Sequence, residues 1–251
     1  MLNKIHETKD IIIVNKPAGQ LSQGAKGFDL DLVSEVMTYN ASQGKPAYAA
    51  IINRLDRPVS GLVLIAKNKS AAAKYSTLMQ KEGGFNKQYE ALICGKLSDP
   101  KGTFVDYLKK DGRTNTSAIV PSDAAANDKE VKLSKLEYEV ISYDEVKDIT
   151  HVRIHLITGR HHQIRVQFAS RRHPLVGDYK YADEPGSSRA SSSGYSSGSA
   201  YDAACDNTGN VPCDMDSYVK AASLKRNQIA LCAVSLTVDN KTYSVAPEFL
   251  I

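Results

Sequence analysis

The chain has 251 residues, and 32 lysine and arginine side chains against 28 aspartates and glutamates give a net charge of +4. Hydrophobic residues at 42% and charged residues at 24% are ordinary values for globular proteins and exclude global disorder. No apolar run approaches the roughly 18 residues of a membrane span, and the polar start of the chain is unlike a signal peptide, so we expect a cytoplasmic protein that does not bind membranes.

The predicted elements are many strands and few helices. Apolar, β-branched runs predict strands at 10–14, 62–66, 87–94, 104–109, 131–143, 150–157, 229–238 and 242–246. Helix-forming residues predict a helix over 70–81 that ends at Gly83-Gly84, and the one-turn spacing of Ile164 and Phe168 predicts a second over 161–172. This pattern is typical of an α+β fold with a largely antiparallel sheet.

One segment departs from the average composition, because eight of the fifteen residues from Gly186 to Ala200 are serines. Such a stretch buries too little apolar area to offset its ordering entropy. We therefore predict a flexible, serine-rich insertion over about 184–222, within a single domain that spans 1–251.

The first candidate site is the run Asn53-Arg54-Leu55-Asp56-Arg57-Pro58-Val59-Ser60-Gly61, directly before a predicted strand. Neighbouring cations favour the ionised form of Asp56, and a rigid turn can hold the carboxylate at the edge of a cleft. An ionised, positioned aspartate can act as a nucleophile or as a base. The alternative is an Arg–Asp pair that only stabilises the turn.

The second candidate is Thr158-Gly159-Arg160-His161-His162-Gln163-Ile164-Arg165, where a predicted strand ends and a helix begins. Free N–H groups at such a helix start, beside Arg160 and His161, would suit a phosphate. Between His151 and Tyr181 six basic side chains accompany one acidic side chain, an excess of five charges that is larger than that of the whole chain. The interpretation is a surface that binds a polyanion, with a solvated basic face as the alternative.

A third candidate is Tyr89, in the predicted strand that begins with Lys87. On a basic sheet face a tyrosine can stack on a base or move a proton, although a core position is the alternative. The sequence has no spacing typical of a metal site and no phosphate-binding glycine loop, so neither a metal nor a cofactor is expected.

Taken in order, these motifs resemble the RluA-type family of RNA pseudouridine synthases. The matching runs are 54–64, 87–91 and 158–166, together with Val14-Asn15-Lys16-Pro17-Ala18-Gly19 and His173-Pro174-Leu175-Val176-Gly177-Asp178. The resemblance implies a mixed, mostly antiparallel sheet with flanking helices around a central basic cleft. It also implies isomerisation of uridine in RNA to pseudouridine, without a cofactor and with flipping of the target base out of its stack.

The resemblance further implies roles for individual residues. Asp56 matches the catalytic aspartate, and Arg165 matches the basic residue that pairs with it. Tyr89 matches the tyrosine that packs on the target base and is a candidate for removing the C5 proton. Arg54 matches the arginine that helps to fill the space left by the flipped-out uridine. The other residues expected to contact RNA are Arg57, Lys87, Arg160, His161 and His162.

The expected partner is a transfer RNA or ribosomal RNA stem-loop that a monomer reads by shape. The S4-type domain that often precedes the family's catalytic domain is expected to be absent. Asn53 and Gln167 stand where many relatives have histidine, which puts the choice of target in question.

Two alternatives to this enzyme remain. One is a non-catalytic RNA-binding or RNA-chaperone module, which would have no need for a carboxylate in a site for polyanions. The other is a hydrolase that uses Asp56, which would need a second carboxylate nearby.

Overall fold

The computed structural model describes residues 2–24, 31–81, 85–182 and 215–249. Within these ranges, the strands are β1 (Lys4–Glu7), β2 (Ile11–Lys16), β3 (Ala50–Ile51), β4 (Ser60–Ala66), β5 (Asn86–Cys94), β6 (Lys101–Asp111), β7 (Thr116–Val120), β8 (Lys132–Asp144), β9 (Ile149–Leu156), β10 (Leu231–Val238) and β11 (Lys241–Ser244). The helices are α1 (Leu32–Ser42), α2 (Lys69–Gln80), α3 (Ala124–Asn127), α4 (Gln163–Ala169) and α5 (Met215–Ala221).

The strands form one sheet in the order β1-β2-β4-β10-β5-β9-β8-β6-β7, with β3 beside β4 and β11 beside β10. Strands β4 and β10 run parallel, whereas the other pairs among the described strands are antiparallel. The predicted α+β class with a mixed, mostly antiparallel sheet is therefore confirmed.

Each face of the sheet buries its own set of apolar side chains, because successive residues of a strand point to opposite sides. In β2, Ile12 and Val14 lie in one core cluster, whereas Ile11 and Ile13 lie in another. Helices α1 and α4 pack on the first face, and α2 and α5 pack on the other. None of the helices in the described residues is long and apolar enough to cross a membrane.

Helices α1 and α2 each begin at a side chain that caps the first turn. The Asp31 carboxylate accepts from the backbone N–H of Ser34, and the Asn68 side chain accepts from that of Ala71. Such caps satisfy N–H groups that have no partner within the helix. Helix α1 and the short strands β1, β3 and β7 were not predicted from the sequence.

The predicted serine-rich insertion at 184–222 falls largely outside the described residues, as does the predicted helix stop at Gly83-Gly84. The last part of the predicted insertion is a helix and not a loop, because Met215–Ala221 forms α5. Met215 is 3% exposed and packs with Val176 and Cys232 on one face of the sheet.

Candidate active site

The loop that carries Asp56 connects β3 to β4 and is held by buried side chains on both sides. Asn53 donates to the carbonyl of Leu62 at 3.1 Å and accepts from the N–H of Leu64 at 2.7 Å. The Ser22 hydroxyl donates to the carbonyl of Leu55 at 2.6 Å and accepts from its N–H at 3.1 Å. Asn53 is therefore used to position the loop, and its side chain is turned toward β4.

The turn after β2 supports the same loop through a buried lysine. The Lys16 ammonium donates to the carbonyls of Pro17 at 3.0 Å, Gln20 at 2.9 Å and Arg57 at 3.3 Å. The Arg57 guanidinium donates in turn to the carbonyl of Gly19 at 2.9 Å. Burial lowers the pKa of Lys16 to about 8, against the opposing effect of Asp56 and Glu248. The run from Val14 to Gly19, one of the runs that resemble the family, thus holds the backbone beside Asp56.

Gly61 brings this loop close to the middle of the sheet. It has φ +117°, and a Cβ at this position would collide with the backbone of Ala233 in β10. Ala233 pairs with Gly61 on one side and with Tyr89 of β5 on the other. Only glycine permits this approach, which places the end of the Asp56 loop two strands away from Tyr89.

Arg165 of α4 joins two carboxylates that are far apart in sequence. Its Nη1 donates to Oδ2 of Asp56 at 3.0 Å. Its Nε and Nη2 donate to Oδ2 and Oδ1 of Asp178 at 2.7 and 2.8 Å. Asp178 is 1% exposed, whereas the Asp56 side chain is 32% exposed. The bidentate pair therefore fixes the guanidinium from the buried side and leaves Nη1 to donate to Asp56.

Asp178 reaches Arg165 because its segment is inserted between strands. The N–H of Val176 donates to the carbonyl of Leu92 at 2.9 Å, and its carbonyl accepts from the N–H of Ala230 at 2.8 Å. On α4, Ile164 and Phe168 are buried in the core on the same face of the sheet as Tyr89. Arg165 is thereby presented beside the Asp56 loop.

Tyr89 belongs to the same core cluster as Leu55 and Val59 of the Asp56 loop and is 6% exposed. Burial raises the pKa of its phenol well above the ordinary value, and the negative charge of Asp56 acts in the same direction. The structure therefore brings together Asp56, Tyr89 and Arg165, with a neutral phenol beside an ion pair.

His162 also faces Asp56, with 3.4 Å between its Nε2 and Oδ2 of the carboxylate. Its Nδ1 lies 2.7 Å from the Tyr181 hydroxyl, which accepts from the N–H of Ser117 at 2.9 Å. His161 stacks on His162 with 3.7 Å between ring centroids. Burial lowers the pKa of His162 to about 3, although Asp56 opposes this shift. His162 is thus a neutral imidazole inside the site.

The other expected RNA contacts are spread over different environments. Arg54, Arg57 and Arg160 are exposed, and the guanidinium of Arg160 donates to the carbonyl of Leu133 at 2.9 Å. Lys87 is half-buried near the Thr158-Gly159 turn, and burial lowers the pKa of its ammonium. Arg54 and Arg57 flank Asp56 in its loop, and Arg160 follows the turn at Thr158-Gly159. His162, in contrast, is buried.

The second helix is shorter than the sequence predicted. Helix α4 begins at Gln163, two residues later than expected, and has only seven residues. The side chain of Gln163 accepts from the N–H of Arg160 at 3.0 Å and from the Thr158 hydroxyl at 2.8 Å. The backbone N–H of Arg160 therefore already has a partner, and phosphate binding at this helix start stays a prediction.

The excess of positive charge between 151 and 181 is partly offset in the fold by acidic side chains from outside this segment. Arg153 pairs with Glu90 at 3.2 Å, and Arg171 pairs with Asp106 at 3.1 Å. Both acidic partners come from other strands, so a count along one segment misses them. Gln167, which donates to the same Asp106 at 2.6 Å, is fully buried and directed away from solvent.

Among the described residues, no group of histidine, cysteine, aspartate and glutamate side chains is arranged to hold a metal ion. Two functional candidates were missed in the sequence. Asp178 belongs to a run that carries the resemblance, so its motif was a usable signal, but Tyr181 follows that run without any pattern of its own.

The family model for RNA pseudouridylate synthase matches residues 10–170, which contain the Asp56 loop, Tyr89 and Arg165. The chain belongs to the RNA pseudouridylate synthase family. The resemblance drawn from the sequence motifs is therefore confirmed. The matched range ends before Asp178 and Tyr181, which complete the surroundings of Arg165 and His162.

Relatives within the family have the same kind of name. The chain is 32% identical over 195 residues to ribosomal large subunit pseudouridine synthase D of Haemophilus ducreyi. The aligned region covers 77% of this chain and 57% of the relative. It is 33% identical over 182 residues to synthase D of Buchnera aphidicola, and this aligned region covers 72% of the chain and 55% of that relative. The chain thus spans a little over half the length of these curated relatives.

A solved structure shares the fold. Human RNA pseudouridylate synthase domain containing 1 superposes with a TM-score of 0.66 at 21% identity, covering 99% of this chain and 84% of that one. At this identity the likeness shows the pseudouridine synthase fold and does not extend to substrate.

Proposed function

We propose that this family member isomerises a uridine of large-subunit ribosomal RNA to pseudouridine, with Asp56 as the catalytic carboxylate. The observation that carries the proposal is the half-exposed Asp56 held by a guanidinium that Asp178 orients from the core. Ribosomal RNA is favoured over transfer RNA because the relatives are named as ribosomal large subunit pseudouridine synthases. The cytoplasmic location and the monomeric state expected from the sequence belong to the same proposal.

The reaction breaks the bond from N1 of uracil to C1′ of the ribose and forms a bond from C5 to the same carbon. The proton lost from C5 balances the proton gained at N1, so the isomerisation needs neither an oxidant nor a reductant. An ionised carboxylate can begin this exchange by attack on the sugar, by attack on the base, or by assisting deprotonation at the sugar.

The polar contacts of Asp56 within the described residues support such a role. Arg165 and His162 both face Oδ2, so Oδ1 keeps its lone pairs for the substrate. The fixed orientation of Arg165 limits rotation of the carboxylate. Lys16 adds a second cation below the loop.

Tyr89 suits the stacking role better than the role of a base. Because burial raises the pKa of its phenol, the neutral ring is the form that the site holds. A neutral aromatic ring offers a flat apolar surface on which a detached uracil can stay and rotate while water is excluded. Removal of the C5 proton would then fall to Asp56 or to a group of the substrate.

The surroundings of the site agree with the need to extrude a base. Taking a uridine out of its stack costs a few kcal/mol, which contacts in the pocket and a wedge residue offset. Arg54 is exposed two residues from Asp56, where it can enter the space that the base leaves. In this proposal, Arg57, Arg160 and Lys87 contact the phosphates around it.

The test uses purified protein and unmodified large-subunit ribosomal RNA that carries tritium at C5 of uridine. Wild-type protein should release tritium, whereas Asp56→Asn should release none and retain the RNA on a filter with wild-type affinity. Asp123→Asn, the same change at an exposed aspartate remote from the loop, is the matched control and should behave as wild type.

Three results would count against the proposal. Turnover by Asp56→Asn would show that another residue starts the reaction. Release from transfer RNA alone would overturn the ribosomal substrate. Tight binding of both RNAs by wild type without any release would favour the non-catalytic RNA-binding or RNA-chaperone module.

A further inference from the structure

We infer that Tyr181 is a positioning residue that fixes the tautomer of His162 and thereby makes His162 a hydrogen-bond donor to Asp56. The inference rests on the proposed role of Asp56. It concerns four groups in a row, from the Ser117 backbone through Tyr181 and His162 to Oδ2 of Asp56.

Which group donates and which accepts along this row follows from its first member, the backbone N–H of Ser117. A backbone N–H can only donate, so the Tyr181 oxygen accepts from Ser117. In the part of the chain that the structure describes, the other hydrogen-bond partner of that oxygen is Nδ1 of His162 at 2.7 Å. If Nδ1 carried the proton, the tyrosine O–H would be left without an acceptor in a half-buried site, at a cost of roughly 1–3 kcal/mol. Tyr181 therefore donates to Nδ1.

A neutral imidazole carries one proton, so an accepting Nδ1 requires the proton on Nε2. Nε2 is the atom that faces Oδ2 of Asp56 at 3.4 Å. This distance is long for a hydrogen bond, so the contact is a weak one. The tautomer selected by Tyr181 is thus the one that presents a donor, and not a lone pair, to the carboxylate.

The imidazole is held in its neutral form and in its place. Burial lowers its pKa to about 3; Asp56 opposes this, whereas Arg165, His161 and Lys180 act with it. The backbone of His162 has φ +53°, an uncommon value for a residue with a side chain. Its ring also stacks on His161, whose Nδ1 lies 2.9 Å from the Ser117 hydroxyl.

The consequence for Asp56 is a carboxylate fixed on one side. Nη1 of Arg165 donates to Oδ2, and Nε2 of His162 lies 3.4 Å from the same oxygen. Rotation of the carboxylate would break both contacts, so Oδ1 keeps a fixed direction toward the substrate. Holding a reacting atom in this way lowers the entropic part of the barrier without adding any contact to the RNA.

The test compares wild type with Tyr181→Phe, which removes the hydroxyl but keeps the ring that lies 5.1 Å from the Arg165 guanidinium. Nitrogen NMR of ¹⁵N-histidine protein, with His162→Gln for assignment, should show the Nε2–H tautomer in wild type and a mixture of tautomers in Tyr181→Phe. On the RNA substrate, kcat should fall about tenfold with KM unchanged, as when an outer hydrogen bond that orients a functional histidine is lost.

Two further variants separate positioning from a loss of folding. His162→Gln should retain more activity than His162→Ala, because the glutamine amide can donate to Asp56 from the place of Nε2. Tyr179→Phe, which removes a hydroxyl that bonds to Asp216 outside the site, should leave kcat unchanged. Circular dichroism and unfolding curves identify any variant that loses its structure.

An Nδ1–H signal for His162 in wild type would overturn the inference, and so would an unchanged kcat in a folded Tyr181→Phe protein. If wild type released no tritium from any RNA, the proposed function would fail. The NMR comparison would still decide whether Tyr181 controls the tautomer.

Discussion

Replacement of Asp178 by asparagine is a direct test of how the candidate site is held together. Asparagine has the shape of aspartate but no charge, and its NH₂ group would face one of the two guanidinium N–H groups that now donate at 2.7 and 2.8 Å. The substitution thus removes half of the bidentate contact and leaves Arg165 buried with Asp56 as its remaining carboxylate.

The size of the effect follows from burial. Removing one partner of a buried ion pair costs about 3–5 kcal/mol, because the other charge stays buried. The loss should be near the lower value, about 3 kcal/mol, since Arg165 keeps its 3.0 Å bond to Asp56. Asp128→Asn makes the same change in a solvent-accessible pair with Lys109 and should cost much less than Asp178→Asn.

The assay is urea unfolding at pH 7, with the unfolding free energy compared at a constant m-value. Repeating Asp178→Asn on an Arg165→Met background gives a double-mutant cycle. There the substitution should be neutral or stabilising, because it removes a buried carboxylate that has lost its cation. An equal cost on both backgrounds would refute the account of Asp178 as the counter-ion that orients Arg165.

Two more predictions concern pH and backbone geometry. Burial lowers the pKa of Lys16 from 10.5 to about 8, so the unfolded chain binds the extra proton between these values. Wild type should therefore gain stability over Lys16→Met as the pH rises through that range, by at most about 1.4 kcal/mol per pH unit in urea unfolding; parallel pH curves would contradict this. Gly61→Ala should cost about 2 kcal/mol or more, because it adds a Cβ at φ +117° against Ala233. Gly112→Ala, with nothing within 4 Å, should change the unfolding free energy little, and equal losses for both variants would refute the steric argument.

Strands were predictable where their signal is local. The run at 62–66 is fully buried in β4. In β9, Val152, Ile154 and Leu156 are buried, and the polar Arg153 between them is exposed. Helix α1 was missed because its sequence contains serine, threonine and β-branched valine, which are weak helix formers. Its formation depends on packing of Leu32 and Val36 against the sheet, a contact that no local pattern reveals.

The candidate site was predictable only in part, for a similar reason. Asp56 and Arg165 are 109 residues apart, and only the resemblance to a family suggested that they meet. The count of charges between 151 and 181 overstates the local excess, because Glu90 and Asp106, which pair with two of its arginines, belong to strands outside that range. Tyr181 had no signal, since its importance arises from a single oxygen that meets both Ser117 and His162.

The buried charges around Asp56 are hard to explain by stability alone. Lys16, Arg165 and Asp178 are each at most 5% exposed, and well-packed apolar side chains of similar volume are often as stabilising as buried ion pairs. All three side chains hold the Asp56 loop. Lys16 donates to the backbone of the loop, Arg165 donates to the Asp56 carboxylate, and Asp178 accepts from Arg165. A fold that needed only a stable turn could replace them by apolar residues. What apolar residues could not supply is a half-exposed carboxylate that keeps one direction, which is what the proposed isomerisation requires.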